Sequence, residues 1–416
     1  MSGSSRILSR CQISSQGVQW RTMQRKSLFH TRGCSPLLRA VVSPGTRLGH
    51  GPRIIFPRLC QRNCRSIHIP TALLPPAMFT GLLIGLWIWK CFMMVVFQNK
   101  IIYMPGMPPN ARRERIADWA SRCGGIQWTE ERTKAADGTE LGMAVATIPL
   151  PKGNRPMAIT DTGETAAAHV YVLYFQGNAS SIPPRLPDLS WVLRAVSDSK
   201  APILAPIQLT FVCLSYRGYW TSRGRASETG IRLDAEAGVS WIAHQHESRF
   251  GTDSATLPIL LIWGQSIGCG VATNLAATGH IPATMPIKGL ILETPFVSIR
   301  SMLETLYPQK WLPYKHLWPF LRNHLDSWAN FGLMAQASRE KGVAPPSIYI
   351  IQAERDELVP KEQTDKMYQR CVDVGLPVER GIASSAYHQE AIARPDGKKL
   401  AAAAILKLAK QGLDSG

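Results

Sequence analysis

Five short segments of this chain are apolar almost from end to end, and they recur between stretches of helical periodicity. They are HVYVLYF at 169–175, QLTFVCLS at 208–215, PILLIW at 258–263, IKGLILE at 287–293 and SIYIIQ at 347–352. A strand with one wet face alternates apolar and polar residues, so a run apolar throughout must be covered on both faces. Helical patterns at 228–246, 267–279, 361–374 and 398–410 supply that cover. Parallel strands need such crossovers, and the alternation predicts an α/β domain with a mostly parallel sheet flanked by helices. A hairpin precedes it: residues 127–129 and 143–146 flank Asp137-Gly138, where glycine supplies the positive φ of a turn. Two stretches break the alternation. Residues 152–168 form a polar loop rich in Gly, Pro and Thr. Residues 295–340 hold Phe296, Tyr307, Trp311, Tyr314, Trp318, Phe320 and Trp328, which reads either as a packed helical insertion or as a lid over a hydrophobic site.

A net charge of +18, from 47 Lys+Arg against 29 Asp+Glu, invites a nucleic-acid reading. Its distribution argues otherwise. Sixteen basic residues precede Glu114, the first acid of the chain, and the remaining 31 meet all 29 acids. The chain from 114 to 416 is therefore nearly neutral, and the body, 100–416, lacks the clustered basic surface that phosphate recognition requires. Nine cysteines, with Cys123, Cys213, Cys269 and Cys371 far apart in the body and no CxxC spacing there, give neither a disulfide framework nor a zinc site. They read as buried thiols, and no metal or cofactor is implied.

Residues 1–70 carry 12 Lys+Arg, ten Ser and no acid. That is the composition of an organellar transit peptide, drawn by a potential that is negative inside; a basic tail on another membrane is the alternative. Next comes AMFTGLLIGLWIWKCFMMVVF at 77–97, long enough to span a bilayer. Its ten Phe, Leu, Ile and Val side chains favour insertion by roughly 3–6 kcal/mol, against about 2.5–3.5 kcal/mol for Lys90. The sum favours one spanning anchor; a re-entrant or surface-lying helix competes. Together these segments predict a membrane protein, mitochondrial or of another endomembrane such as the endoplasmic reticulum.

Gly264-Gln265-Ser266-Ile267-Gly268 follows PILLIW directly and opens a helical pattern. Strand, sharp turn and helix is the context that gives G-x-S-x-G its meaning, because it lifts a serine hydroxyl to the sheet edge beside a helix amino terminus. The plainer alternative is a helix N-cap between glycines needed for packing. A nucleophilic serine needs a base and an acid that orients the base. Asp356 follows SIYIIQ, just past a strand end, and is the preferred acid, with Glu354 and Glu357 as alternatives. His388 lies in a small-residue loop before the last helix, while His244, His246, His316 and His324 are placed less well. An oxyanion hole would draw on the Ile267 N–H and, after HVYVLYF, on the Asn178 N–H, with Gly177 permitting close approach. Asn178-Ala179-Ser180 is also a glycosylation sequon, expected to be unused so close to a site. Gln176, Gly177, Trp311 and Trp318 are the expected substrate contacts.

At these residues the chain resembles the α/β-hydrolase superfamily, whose order is Ser, acid, His. Ser215-Tyr216-Arg217-Gly218-Tyr219, Ser227-Glu228 and Asp234 are similar to that family's segment after the fourth strand. WGQSIGCGVATN at 263–274 and ILETPF at 291–296 resemble more narrowly the membrane-anchored abhydrolase-domain lipases acting on monoacylglycerols and lysophosphatidylserine. A related branch comprises depalmitoylating thioesterases. The resemblance runs over roughly residues 95–410. Gln176 stands where many members have His, Cys269 where Gly or Thr is usual, and Tyr387 where Gly or Asn often precedes the histidine. The resemblance implies an α/β-hydrolase fold and a serine hydrolase acting on lipid or acylated substrates at a membrane. A thioesterase and a non-catalytic membrane scaffold on the same fold are the competing expectations.

Overall fold

The computed structural model describes residues 70–149, 168–199, 207–251, 256–309, 312 and 314–414. The basic leader, apart from Pro70, lies outside these residues, as do nearly all of the polar loop at 152–168 and Trp311. The chain enters as helix α1, Leu74–Val96, with no buried residue along its 23. Among the described residues it is the one helix long and apolar enough to cross a membrane. At about 1.5 Å per residue it reaches roughly 35 Å. Phe97 breaks it, and the short helix α2, Gln98–Tyr103, turns the chain onto the body.

The body is built on eight strands: β1 Thr129–Lys134, β2 Glu140–Pro149, β3 Ala168–Phe175, β4 Ile207–Leu214, β5 Leu257–Gln265, β6 Ile287–Glu293, β7 Ser347–Ala353 and β8 Val378–Ala383. They lie in the order β1-β2-β4-β3-β5-β6-β7-β8. β2 pairs antiparallel with both β1 and β4; every later pairing is parallel. The apolar runs occupy β3 to β7, and their alternate residues feed opposite faces. Tyr171, Leu173 and Phe175 of β3 enter one core cluster, and Val170, Val172 and Tyr174 the other. Burial on both faces is why these strands show no polar alternation. Helices α4 (Glu228–Phe250), α5 (Ile267–Thr278), α7 (Ser327–Lys341) and α8 (Lys361–Val374) supply the first cluster; α3 (Leu186–Ser197) and α9 (Pro395–Asp414) supply the second. The edge strand β1, TEERTK, is almost wholly exposed, and its charges suit an edge.

The hairpin turns at Asp137-Gly138, with Gly138 at φ +80°. It also has a tertiary task. Arg217, after β4, donates to Asp137 Oδ2 at 2.7 Å, and its Nε donates to the fully buried Asp234 Oδ1 at 2.9 Å. The hydrogen bonds from Arg217 hold the Asp137 carboxyl at about 2. One guanidinium thus ties the hairpin, the β4 loop and α4 together.

The aromatic insertion divides in two. Its first part is α6, Ile299–Leu306, and a 3₁₀ stretch, Tyr314–Phe320, packed beside the end of α1. Its second part, α7, buries Phe331, Met334 and Ala335 in the main core and is not a cover. Lys90, the one charge of the span, places its ammonium 5.3 Å from the ring centre of Tyr314. Gln98 Nε2 donates to the Phe320 carbonyl at 3.1 Å, and Gln98 Oε1 accepts from Arg322 N at 2.7 Å. The Arg322 guanidinium caps the last carbonyls of α1, at 3.1 Å from Val95 O and 3.2 Å from Val96 O.

Replacing Asp234 by Ala leaves Arg217 buried with only the half-exposed Asp137 as partner. The change is expected to lower the unfolding free energy by about 3 kcal/mol, measured by chemical denaturation in detergent. A loss below about 1 kcal/mol would show that this pair is not what joins the hairpin to α4.

Candidate active site

β3 and β5 are neighbours, while the chain leaves β3 for β4, which pairs with the other edge of β3. Their carboxyl ends therefore form the crevice where strand order reverses, and Phe175 pairs in register with Gly264. Ser266 stands there, between β5 and α5, at φ +52° and ψ −116°. Such a conformation costs a non-glycine residue about 1–3 kcal/mol and persists only where the surroundings enforce it. They do. A β-carbon on Gly264 would stand 2.3 Å from Gly268 O, and one on Gly268 would stand 2.2 Å from Phe175 O. Ser266 N donates to Glu293 O at 2.9 Å, fixing the turn to the end of β6.

Three of the expected side chains form a continuous row. Ser266 Oγ lies 2.9 Å from His388 Nε2, and His388 Nδ1 lies 2.9 Å from each oxygen of Asp356. A carboxylate can only accept, so Nδ1 carries the proton and Nε2 is left to accept from the serine hydroxyl. Asp356 is itself fixed by the N–H groups of Leu358 and Val359, at 3.0 and 2.7 Å from Oδ1. The two other acids have different partners. Glu357 accepts the His388 N–H at 2.9 Å, and Glu354 accepts the Ser385 N–H at 2.6 Å. Both therefore hold the histidine loop by its backbone.

The loop after β3 lies against the serine: a β-carbon on Gly177 would stand 3.6 Å from Ser266 Cβ. Asn178 follows it, and Ile267 begins α5 beside Ser266. The Gln176 carbonyl accepts the Tyr216 hydroxyl at 2.8 Å, but both polar atoms of its side-chain amide are buried with no partner in the protein. Trp318 is 44% exposed, its ring 4.1 Å from the Arg300 guanidinium. Cys269 is fully buried, its Sγ 3.1 Å from Gly264 O, and burial pushes its thiol well above the usual range. It packs, and is no nucleophile at neutral pH.

A buried polar cluster behind the serine went unread in the sequence. Glu293, with no exposure, pairs with Arg185 at 2.5 Å and accepts from Trp263 Nε1 at 3.2 Å. Arg185 also donates to Tyr174 Oη at 3.3 Å and to the Gln389 carbonyl at 3.2 Å. Tyr174 in turn donates to Gln265 Oε1 at 3.0 Å. The cluster joins the residues flanking Ser266 and His388 to three strand ends. The available signal was Glu293 itself, an acid closing an apolar strand.

Gly268→Ala is expected to force the α5 amino terminus away from β3, costing at least ~1–3 kcal/mol, because backbone cannot yield as a side chain does. Gly85→Ala, with nothing within 4 Å of the added carbon, is the control. Equal thermal unfolding midpoints for the two variants would contradict the enforced turn.

No family model matches the chain. Lysophosphatidylserine lipase ABHD12 of Macaca fascicularis is 32% identical over 204 residues, 49% of this chain and 46% of that protein. Protein bem46 of Schizosaccharomyces pombe is 30% identical over 145 residues, 35% of this chain and 41% of its own length. The matches thus span about half the length of these curated relatives. Among solved structures, the Pyrococcus furiosus esterase Pf2001 aligns with a TM-score of 0.45 at 17% identity, over 69% of this chain and 93% of that one. The sheet order and the serine turn between β5 and α5 are those of an α/β-hydrolase fold, and over about half its length the chain is similar in sequence to these two curated relatives.

Proposed function

We propose that the protein is a membrane-anchored serine hydrolase that cleaves carboxylic esters of lipophilic acyl substrates, of lysophospholipid or monoacylglycerol type. The observation that carries this reading is the unbroken row from Ser266 through His388 to Asp356, with 2.9 Å at each step. In it, Ser266 Oγ attacks the ester carbonyl carbon while His388 Nε2 takes its proton, and Asp356 stabilises the imidazolium. The oxyanion is held by the N–H groups of Ile267 and Asn178, with Gly177 leaving room for the carbonyl. The imidazolium then protonates the departing alkoxide, leaving Ser266 acylated. Water, deprotonated by His388, attacks the acyl-enzyme; collapse releases the fatty acid and returns the proton to Ser266.

Support for a lipophilic acyl group comes from α1. That exposed apolar helix would hold the body beside a bilayer, where lipophilic acyl substrates reside. The free amide of Gln176 offers a donor and an acceptor to the polar part of a substrate, and Trp318 belongs to the cover over the acyl chain. A relative named as a lysophosphatidylserine lipase agrees with this class. The anchor spans the membrane as α1, and the basic leader directs the chain to the mitochondrion.

Ser266→Ala is expected to abolish labelling by a fluorophosphonate probe and to lower turnover of a lysophospholipid by about 10⁶. A folded wild-type protein that the probe leaves unlabelled would reject the enzyme reading. Replacing residues 1–40 with a Glu-rich segment is expected to stop mitochondrial import in a cell-based localisation assay; undiminished import would remove the transit-peptide reading.

A further inference from the structure

The loop that follows β3 is held in an unfavourable shape, and what holds it comes from the chain just beyond the membrane helix. Ala179 at φ +59° and Ser180 at φ +61° are consecutive non-glycine residues in the left-handed region. L-residues visit that region singly and reluctantly, so two in succession need outside support. The Ala179 N–H donates to the Tyr103 carbonyl at 3.0 Å and the Ser180 N–H to the Met107 carbonyl at 2.5 Å. The hydroxyl of Ser181, itself buried, donates to the Glu114 carboxylate. All three acceptors belong to one stretch, 103–114.

That stretch is anchored in its turn. Tyr103 is fully buried, its hydroxyl donating to Asn323 Oδ1 at 3.1 Å, and its carbonyl also accepts the Tyr219 hydroxyl. The Glu114 carbonyl accepts Trp220 Nε1 at 2.8 Å, and Arg112 donates to the carbonyls of Trp220 and Ser222. The segment is therefore a braced strut between the core and the loop. Asn178 sits at the front of that loop, one residue after the glycine that lies against Ser266.

We propose that the membrane-proximal segment 98–114 is a positioning element of the active site, fixing the loop so that the Asn178 N–H faces the substrate oxygen, with Glu114 as its positioning residue. This rests on the serine-hydrolase reading above. Glu114 touches no reacting atom; it acts through Ser181 and the two residues before it. The consequence is that the chain leaving the anchor belongs to the catalytic apparatus and is more than a tether.

The test uses the full-length protein in detergent micelles with a soluble short-chain p-nitrophenyl ester, which makes no demand on the anchor. Removing an oxyanion donor costs ~10²–10³ in rate, so loosening its loop in Glu114→Ala is expected to lower kcat by about tenfold or more. KM should move less than about twofold, since the donor acts on the transition state. Glu114→Gln keeps an oxygen acceptor and should recover most of the rate. Ser181→Ala should reproduce the loss, and the double variant should add nothing to it. Amide hydrogen exchange at Ala179 and Ser180 should quicken in Glu114→Ala. Wild-type kcat in Glu114→Ala overturns the inference, whether or not exchange changes. A kcat loss that Glu114→Gln shares in full, with exchange unaltered, overturns it too. A wild-type protein inert towards both ester and fluorophosphonate instead defeats the hydrolase reading itself.

Discussion

The carbonyl oxygen of Phe175 lies 2.2 Å from where a β-carbon on residue 268 would be, and the site depends on that approach. It brings the amino terminus of α5 down onto the end of β3, which sets the serine turn and the glycine loop side by side. Ser266 then takes a backbone conformation with no local stabilisation, held from one side by Gly264 and Gly268 and from another by the Glu293 carbonyl. The buried Arg185–Glu293 pair is the second tier of this arrangement. It reaches the residue after His388, so the serine and the histidine are referred to one common support.

Much of this was legible in the chain. Burial on both faces of β3 to β7 leaves a pattern that needs no structure to read, and a G-x-S-x-G after such a run fixes where the strand must end. Choosing among Glu354, Asp356 and Glu357 was a different matter. All three follow β7 within four residues, and only the path of the loop decides which carboxylate meets an imidazole and which meet backbone N–H groups. The strand β8, VERGIA, has little apolar signal, because it is an edge strand with one buried face and charged residues. Helix α3 is legible by contrast, since Leu186, Leu189, Val192, Leu193 and Val196 carry a helical period. The bracing by 103–114 has no periodic signature. Two of its three acceptors are backbone carbonyls, which every residue type possesses, so that only the Glu114 carboxylate leaves a mark in the sequence.

The aromatic insertion shows why composition alone cannot separate cover from core. Phe331 and Trp328 lie on the same helix; the first is fully buried and the second is 37% exposed. Its first half is stitched to the end of α1 through Gln98, Arg322 and Asn323, so insertion and apolar helix form one packed unit on the body. Where a lone polar side chain at a helix end would simply be solvated, Gln98 is buried and uses both ends of its amide. That use marks the place where the chain stops being an exposed apolar rod and becomes part of a folded domain.

The two margins of the sheet carry a final consequence. β1 presents Glu130, Glu131, Arg132 and Lys134, and β8 presents Glu379 and Arg380. Molecules confined to a surface meet in two dimensions and in a restricted range of orientations, which raises the chance that like margins face one another. Open backbone there would let one sheet continue into the next. Charged side chains of both signs, which must be stripped of water before another strand can approach, oppose such pairing at both margins.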